Sequence, residues 1–372
     1  MLDAQQTWAA VRSLSYSTLL AALLYVALLF LTGCGGGQGS AQQESEETST
    51  AGAATTEETD DSGGETTVAE TTGETKMVVE EAQSAKPYSV VTVPDAQPQS
   101  APTQQVLVDG AEDNSDRPLK ENRFVTYYGN PRSAQMGVLG EFADPEAMME
   151  RLIQQTAAYS AADPARPAVP TIELIASTAQ RDPGGDGSYL GRLETEEIEQ
   201  YARLAEENGA LLLLDVQLGL NTVADEIEVL RPFLERPYVH LAIDTEYSVE
   251  LGQVPGVDLG GVDGAEIQEA VETLTQLVEE EGIADKVLVV HQFESGIVTN
   301  KEVIQPTENV EVVLNADGFG GADNKISKYD LLVSEEPIQY GGFKLFYTQD
   351  VSLLSPEEVL QLEPAPVVVN YQ

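Results

Sequence analysis

Eight short runs rich in aliphatic, β-branched and aromatic residues alternate with amphipathic stretches from Glu121 to the end of the chain, and no other feature restricts the fold as much. The runs cover residues 124–128, 169–176, 210–217, 238–245, 286–293, 310–317, 343–348 and 366–371. Helical patterns separate most of them, at 145–159, 194–208, 223–235 and 263–281, with weaker ones at 324–335 and 356–362. Residues 297–308 are too short and mixed to assign. Strands separated by helices pair in parallel through right-handed crossovers. Eight such units in about 250 residues match a (β/α)8 barrel. An α/β fold, a TIM-like barrel over residues 117–372, is therefore expected. An open doubly wound sheet is the alternative, but no Gly-x-Gly-x-x-Gly turn supports the nucleotide site of that architecture.

Side chains alternate across a strand, so parity separates those that enter the barrel from those that meet the helices. In the fourth run Val239, Leu241 and Ile243 form the outer face, leaving His240, Ala242, Asp244 and Glu246 inside. In the third, Leu212, Leu214 and Val216 face out, leaving Asp215 and Gln217 inside. The same test places Glu173, His291, Asn315 and Asp317 inward. The first, seventh and eighth runs stay open: Tyr127 or Tyr128, Lys344 or Tyr347, and Asn370 or Tyr371. His240 comes early in its run and is expected on the barrel floor. The polar groups come last, at the strand ends where barrel enzymes carry their chemistry. Burying several carboxylates costs several kcal/mol each unless they are paired or used, so this convergence is read as a functional site.

Two carboxylates across a cleft suffice for glycoside hydrolysis, one as acid and one as nucleophile or base. The segment Ala242-Ile243-Asp244-Thr245-Glu246-Tyr247 resembles the Asp-x-Glu ending of the fourth strand in chitinase-like barrel glycosidases. That resemblance implies Glu246 as proton donor and Asp244 as the partner that orients substrate. The upstream part of the family motif is missing, with His240 and Ala242 in its place. The second carboxylate is then Asp215, Glu173 or Asp317, while Gln217, His291 and Asn315 position substrate. Sugar sites usually stack rings on aromatic side chains, yet the single tryptophan is Trp8. Tyr128, Tyr247 and Tyr347 are the expected substitutes.

No cofactor and no dedicated metal site are expected on this reading. The first alternative is a metal-dependent, phosphodiesterase-like hydrolase, in which the acids and His291 hold Mg²⁺ or Ca²⁺ through oxygen ligands. Few basic groups stand ready for a phosphate, the candidates being Lys344, Arg132, Arg181 and Arg192. The second alternative is a non-catalytic barrel that binds a ligand. Cysteine chemistry is excluded from the barrel, because the one cysteine is Cys34.

Residues 19–31 form an apolar run that ends at Leu31-Thr32-Gly33-Cys34. Its length suits a signal-peptide core and is short of the roughly 20 residues of a membrane span. The four residues resemble the lipobox of bacterial lipoproteins. That resemblance implies cleavage after residue 33, lipid on Cys34, and a protein tethered to the extracytoplasmic face of the cell membrane. Residues 34–116 read as a disordered acidic stalk, since their Glu, Thr, Ser and Gly content cannot bury enough apolar surface to offset chain entropy. Within it, Tyr88-Ser89-Val90-Val91-Thr92-Val93 is read as a sticky patch of linker rather than a docked strand. The formal net charge of −44 argues against nucleic acid as a partner. A monomer with a glycan or other small polar ligand is expected. Tyr127-Tyr128-Gly129, Val290-His291-Gln292-Phe293, Asp317-Gly318-Phe319-Gly320-Gly321 and residues 342–347 are also similar to an uncharacterised family of bacterial envelope proteins, which implies no activity.

Overall fold

The computed structural model describes residues 86–94, 96 and 118–372, apart from 337–338. Eight parallel strands form a closed barrel: β1 (Arg123–Asn130), β2 (Ala168–Ala179), β3 (Leu211–Gly219), β4 (Val239–Ser248), β5 (Lys286–Gln292), β6 (Val310–Ala316), β7 (Tyr340–Leu345) and β8 (Val368–Tyr371). Closure runs through β8 and β1, with Phe124 opposite Val368 and Tyr127 opposite Tyr371. The expected (β/α)8 architecture is therefore the observed one. The expected strand boundaries hold to within three residues, the seventh strand being displaced as a whole. That strand begins three residues early, because Gly341 and Gly342 extend the pairing with β6 rather than forming a turn.

Local chemistry explains where the helices start. The side chain of Asp144 caps α1 (Pro145–Ala162), whose first residue is a proline preset for that position. Glu194 and Glu197 close a capping box on α2 (Thr195–Glu207), and Thr222 and Asp225 do the same on α3 (Val223–Leu234). Asp263 caps α4 (Gly264–Glu281), and Gly282 ends it in the left-handed conformation that favours glycine. The crossover from β5 to β6 has no α-helix. It carries a two-residue strand, Val298–Thr299, paired with Val262–Asp263, followed by a single 3-10 turn at Lys301–Val303. This is the stretch whose sequence had no clear period. Beyond β6, α5 (Ala322–Tyr329) runs on into a π-helical turn, Asp330–Ser334, and α6 (Pro356–Val359) precedes β8.

Aliphatic side chains on the outer strand faces, such as Val239, Leu241 and Ile243, pack with helix residues such as Ile227, Leu230, Ile267 and Leu274 in one continuous core. Polar groups close the N-terminal end of the barrel. Arg123 pairs with Asp163 at 3.0 Å, both buried, and Lys286 donates to the carbonyls of Arg236 and Val239 at 2.7 and 2.9 Å. His240 lies there as expected, accepting from the Val287 amide at 3.1 Å with its ring 5.8 Å from that of Phe124. Burial and the neighbouring Lys286 keep His240 well below its ordinary pKa, hence neutral. The patch around Tyr88 corrects the linker reading. Val91 is buried and makes an antiparallel bridge to Ala168, while Ser89 donates to the Gly209 carbonyl at 2.7 Å. Edge backbone groups beside β2 offer partners that no sequence pattern reveals. The stretch 1–34, including Cys34, and most of the acidic stalk lie outside the described residues.

Candidate active site

Parallel register brings the polar residues at the strand ends to one place. Asp244 lies opposite Gln217 of β3 on one side and His291 of β5 on the other. Asn315 is opposite His291, Tyr128 opposite Glu173, and Lys344 opposite Asn370. Every inward polar residue expected at the C-terminal ends of β2 to β6 is found in this cluster or on its rim, while His240 lies at the opposite end of the barrel.

The three open strands resolve. Tyr128 points in, with its hydroxyl 3.4 Å from Asp244 Oδ2. Lys344 points in, 3.0 Å from Asp317 Oδ2 and 3.5 Å above the Tyr128 ring. The Asn370 amide donates to Glu173 and, at 2.9 Å, to Thr126 Oγ1, while Thr126 donates to Glu173 Oε2 at 2.9 Å. Tyr347, expected among the substrate-facing rings, is placed elsewhere. The strand ends at Leu345, and Tyr347 stacks on Tyr371 and reaches the Tyr127 hydroxyl at 3.2 Å, beneath the Arg151 guanidinium. That aromatic group sits on the helix side of the barrel wall, against α1.

His291 stands at the centre. Its Nδ1 is 3.0 Å from Asp317 Oδ1, and its Nε2 is 2.7 Å from Glu173 Oε1 and 3.5 Å from Asp215 Oδ2. Gln217 bridges outward, donating to Asp244 Oδ2 at 3.1 Å and accepting from the Ala179 amide at 2.8 Å. The Asn315 amide donates to Asp317 at 2.6 Å. Gly342 makes room for Asn315, since a Cβ there would stand 2.3 Å from Asn315 Oδ1. Exposure rises toward the mouth: Glu173 and Asp215 are fully buried, the Asp317 side chain is 11% exposed, and Glu246 is half-buried.

These neighbours divide the carboxyl groups into two kinds. Burial, then the charges of Asp244 and Asp317, push Glu246 up to about 8. Asp215 is driven well above the usual range by burial and by Asp244, and burial raises Asp244 too, against the pull of Lys344 and His291. Asp317 goes the other way: burial opposes its charge, but Lys344 and His291 outweigh it and hold the group well below the ordinary range. The same pairing holds His291 and Lys344 charged, because Asp317 and the nearby acids overcome the burial of each. Tyr247, hydrogen-bonded to Glu246, is raised first by that carboxylate and then by burial.

Strand parity missed one basic group at this mouth, because it lies on a helix. Lys328 of α5 is partly buried, 4.2 Å from the Phe293 ring, and its pKa is lowered by burial against the pull of Asp317, Glu294 and Glu246. The rest of the basic complement departs from expectation. Arg132 pairs with Glu197 and Arg192 with Glu226, away from the cluster. The Arg181 guanidinium donates to the Gly256 carbonyl. A closed barrel with an acidic cluster buried at its C-terminal strand ends is compatible with a hydrolase. Comparison of the chain with protein-family models, with curated proteins and with solved structures finds no match in any of the three.

Proposed function

We propose that the barrel is a glycoside hydrolase acting by paired-carboxylate acid/base chemistry on an envelope or environmental glycan, on a chain held at the outer face of a membrane by lipid on Cys34. One observation carries the enzymatic part: two carboxyls share the mouth, Asp317 in contact with Lys344 and His291 and Glu246 with neither. Glu246, held up to about 8, keeps its proton at neutral pH and serves as the general acid. Asp317, held ionised by Lys344 and His291, serves as the second carboxylate. Asp244, steered by Gln217 and Tyr128, is placed to orient the sugar ring that Glu246 protonates. Tyr247, partly exposed at the mouth, supplies a ring for stacking, while the Tyr128 ring is covered by Lys344 and acts through its hydroxyl.

Hydrolysis of a panel of polysaccharides and aryl glycosides by the full chain tests this reading. Glu246→Gln is expected to lower kcat on natural linkages by about 10²- to 10⁴-fold. It should spare aryl glycosides whose leaving group needs no proton. Wild-type kcat/KM is expected to fall above pH 8 as Glu246 loses its proton. Turnover of no glycoside in the panel, or equal loss on both substrate classes, would overturn the assignment.

A further inference from the structure

We infer that Glu173, Asp215 and His291 form a binding site for one divalent transition-metal ion, buried beneath the Glu246–Asp317 pair. The three come from β2, β3 and β5, and one ligand atom from each lies within 4.8 Å of the others. Nε2 of His291 is 2.7 Å from Glu173 Oε1 and 3.5 Å from Asp215 Oδ2. Donors about 2.0–2.2 Å from a tetrahedral ion stand roughly 3.3–3.6 Å apart, so the 3.5 Å pair already fits and the hydrogen-bonded 2.7 Å pair opens by less than about 1 Å to admit it.

A second observation is independent of the clustering. Both oxygens of Asp215 lack a hydrogen-bond partner although the side chain is fully buried. Buried polar atoms are ordinarily satisfied, and an orphaned carboxylate inside a barrel points to a cation or an ordered water among its natural partners. The surroundings of the other two donors favour the cation. Glu173 Oε2 is occupied by Thr126 and Asn370, which turns Oε1 toward His291. His291 Nδ1 faces Asp317 at 3.0 Å, so a carboxylate backs the ring nitrogen opposite the candidate ligand atom. This is the outer-shell pattern that orients metal-binding imidazoles.

One imidazole nitrogen with two carboxylates suits Zn²⁺, Mn²⁺ or Fe²⁺ better than Mg²⁺ or Ca²⁺, which take all-oxygen sets. Binding would replace the His291–Glu173 hydrogen bond, and its proton would leave to solvent. Glu246 and Asp244 take no part as ligands, so the ion can be tested apart from the general acid, whereas Asp317 belongs to both arrangements through its contact with His291.

The full chain, stripped with EDTA, would be titrated with Zn²⁺ by calorimetry and with Co²⁺ by visible absorption. One saturable site is expected, with visible cobalt absorption well above that of the hydrated ion, as low-coordinate protein ligation gives. Asp215→Asn and His291→Gln should each weaken it at least a hundredfold, Asp317→Asn about 10- to 100-fold by loosening the ring, and Glu246→Gln by no more than a few-fold. Weak sites along the acidic stretch 35–116 are untouched by these changes. No saturable site, or one that both ligand substitutions leave unaltered, would overturn the inference. Should a ligand variant fail to fold by circular dichroism, a zinc-dependent rise in the wild-type melting midpoint decides the question, and its absence counts against the site. Failure of glycan hydrolysis would leave this readout intact, because it follows the ion itself.

Discussion

At the scale of single residues, the chemistry rests on how one side chain's surroundings set another's charge. Glu246 and Asp317 both carry carboxyl groups and stand at the same mouth, each at least partly buried. They differ because Asp317 has two cations in contact and Glu246 has none. This difference has a consequence for stability. A carboxyl whose pKa is raised by folding binds its proton more tightly in the folded chain than in the unfolded one, so stability falls as pH climbs from about 4.5 through about 8. Glu246→Gln removes that dependence. Urea unfolding at pH 5 and pH 9 should therefore show a variant that equals wild type at the lower pH and exceeds it at the higher. The difference in slope would be at most about 1.4 kcal/mol per pH unit, reduced because the group is half-exposed.

At the scale of elements, the contact between β6 and β7 decides how tightly the mouth is built. Gly342 lies opposite Asn315 in that pairing, and the asparagine occupies the space that a side chain would take. Gly342→Ala would drive Asn315 from its bond to Asp317 and crowd the Val313 side chain, at a cost of about 1–3 kcal/mol. A drop of this size in denaturant unfolding, with lower activity but an unchanged far-ultraviolet circular dichroism spectrum, is the expected outcome. The same pairing explains the early start of the seventh strand. Consecutive glycines read as a turn in isolation, but here they are strand residues whose missing side chains admit a neighbour. The fifth crossover teaches a related lesson, because a parallel connection needs a covering layer but not a regular helix to supply it.

At the scale of the whole molecule, the charge is strongly one-sided and argues against polyanionic partners. Residues 117–372 carry 45 acidic and 16 basic side chains, and the stretch 35–116 carries 17 and 2. On the proposed reading, that acidic stretch separates the barrel from a lipid on Cys34. Cys34→Ser is expected to move the protein from the detergent-rich to the aqueous phase on Triton X-114 separation of bacterial lysates. Equal partitioning of wild type and variant would remove the anchor from the proposal.

How much of this was legible beforehand follows from where each signal resides. The barrel was legible along the chain, because eight apolar runs separated by amphipathic ones leave few other ways to bury both strand faces. So were the inward residues of β2 to β6, where a clean apolar face identifies its opposite by the two-residue period of a strand. Sequence could not decide Tyr128 against Tyr127, since both faces of β1 are buried and no polarity contrast marks the interior. Nor could it decide Lys344 against Tyr347, since the choice turned on a strand boundary set by two glycines packing on a neighbour. Only the tertiary structure decided which carboxyls keep their protons and which three donors meet. Those properties belong to distances between residues of different strands, His291 to Glu173 and Lys344 to Asp317 among them, and electrostatic energy depends on separation in space rather than along the chain.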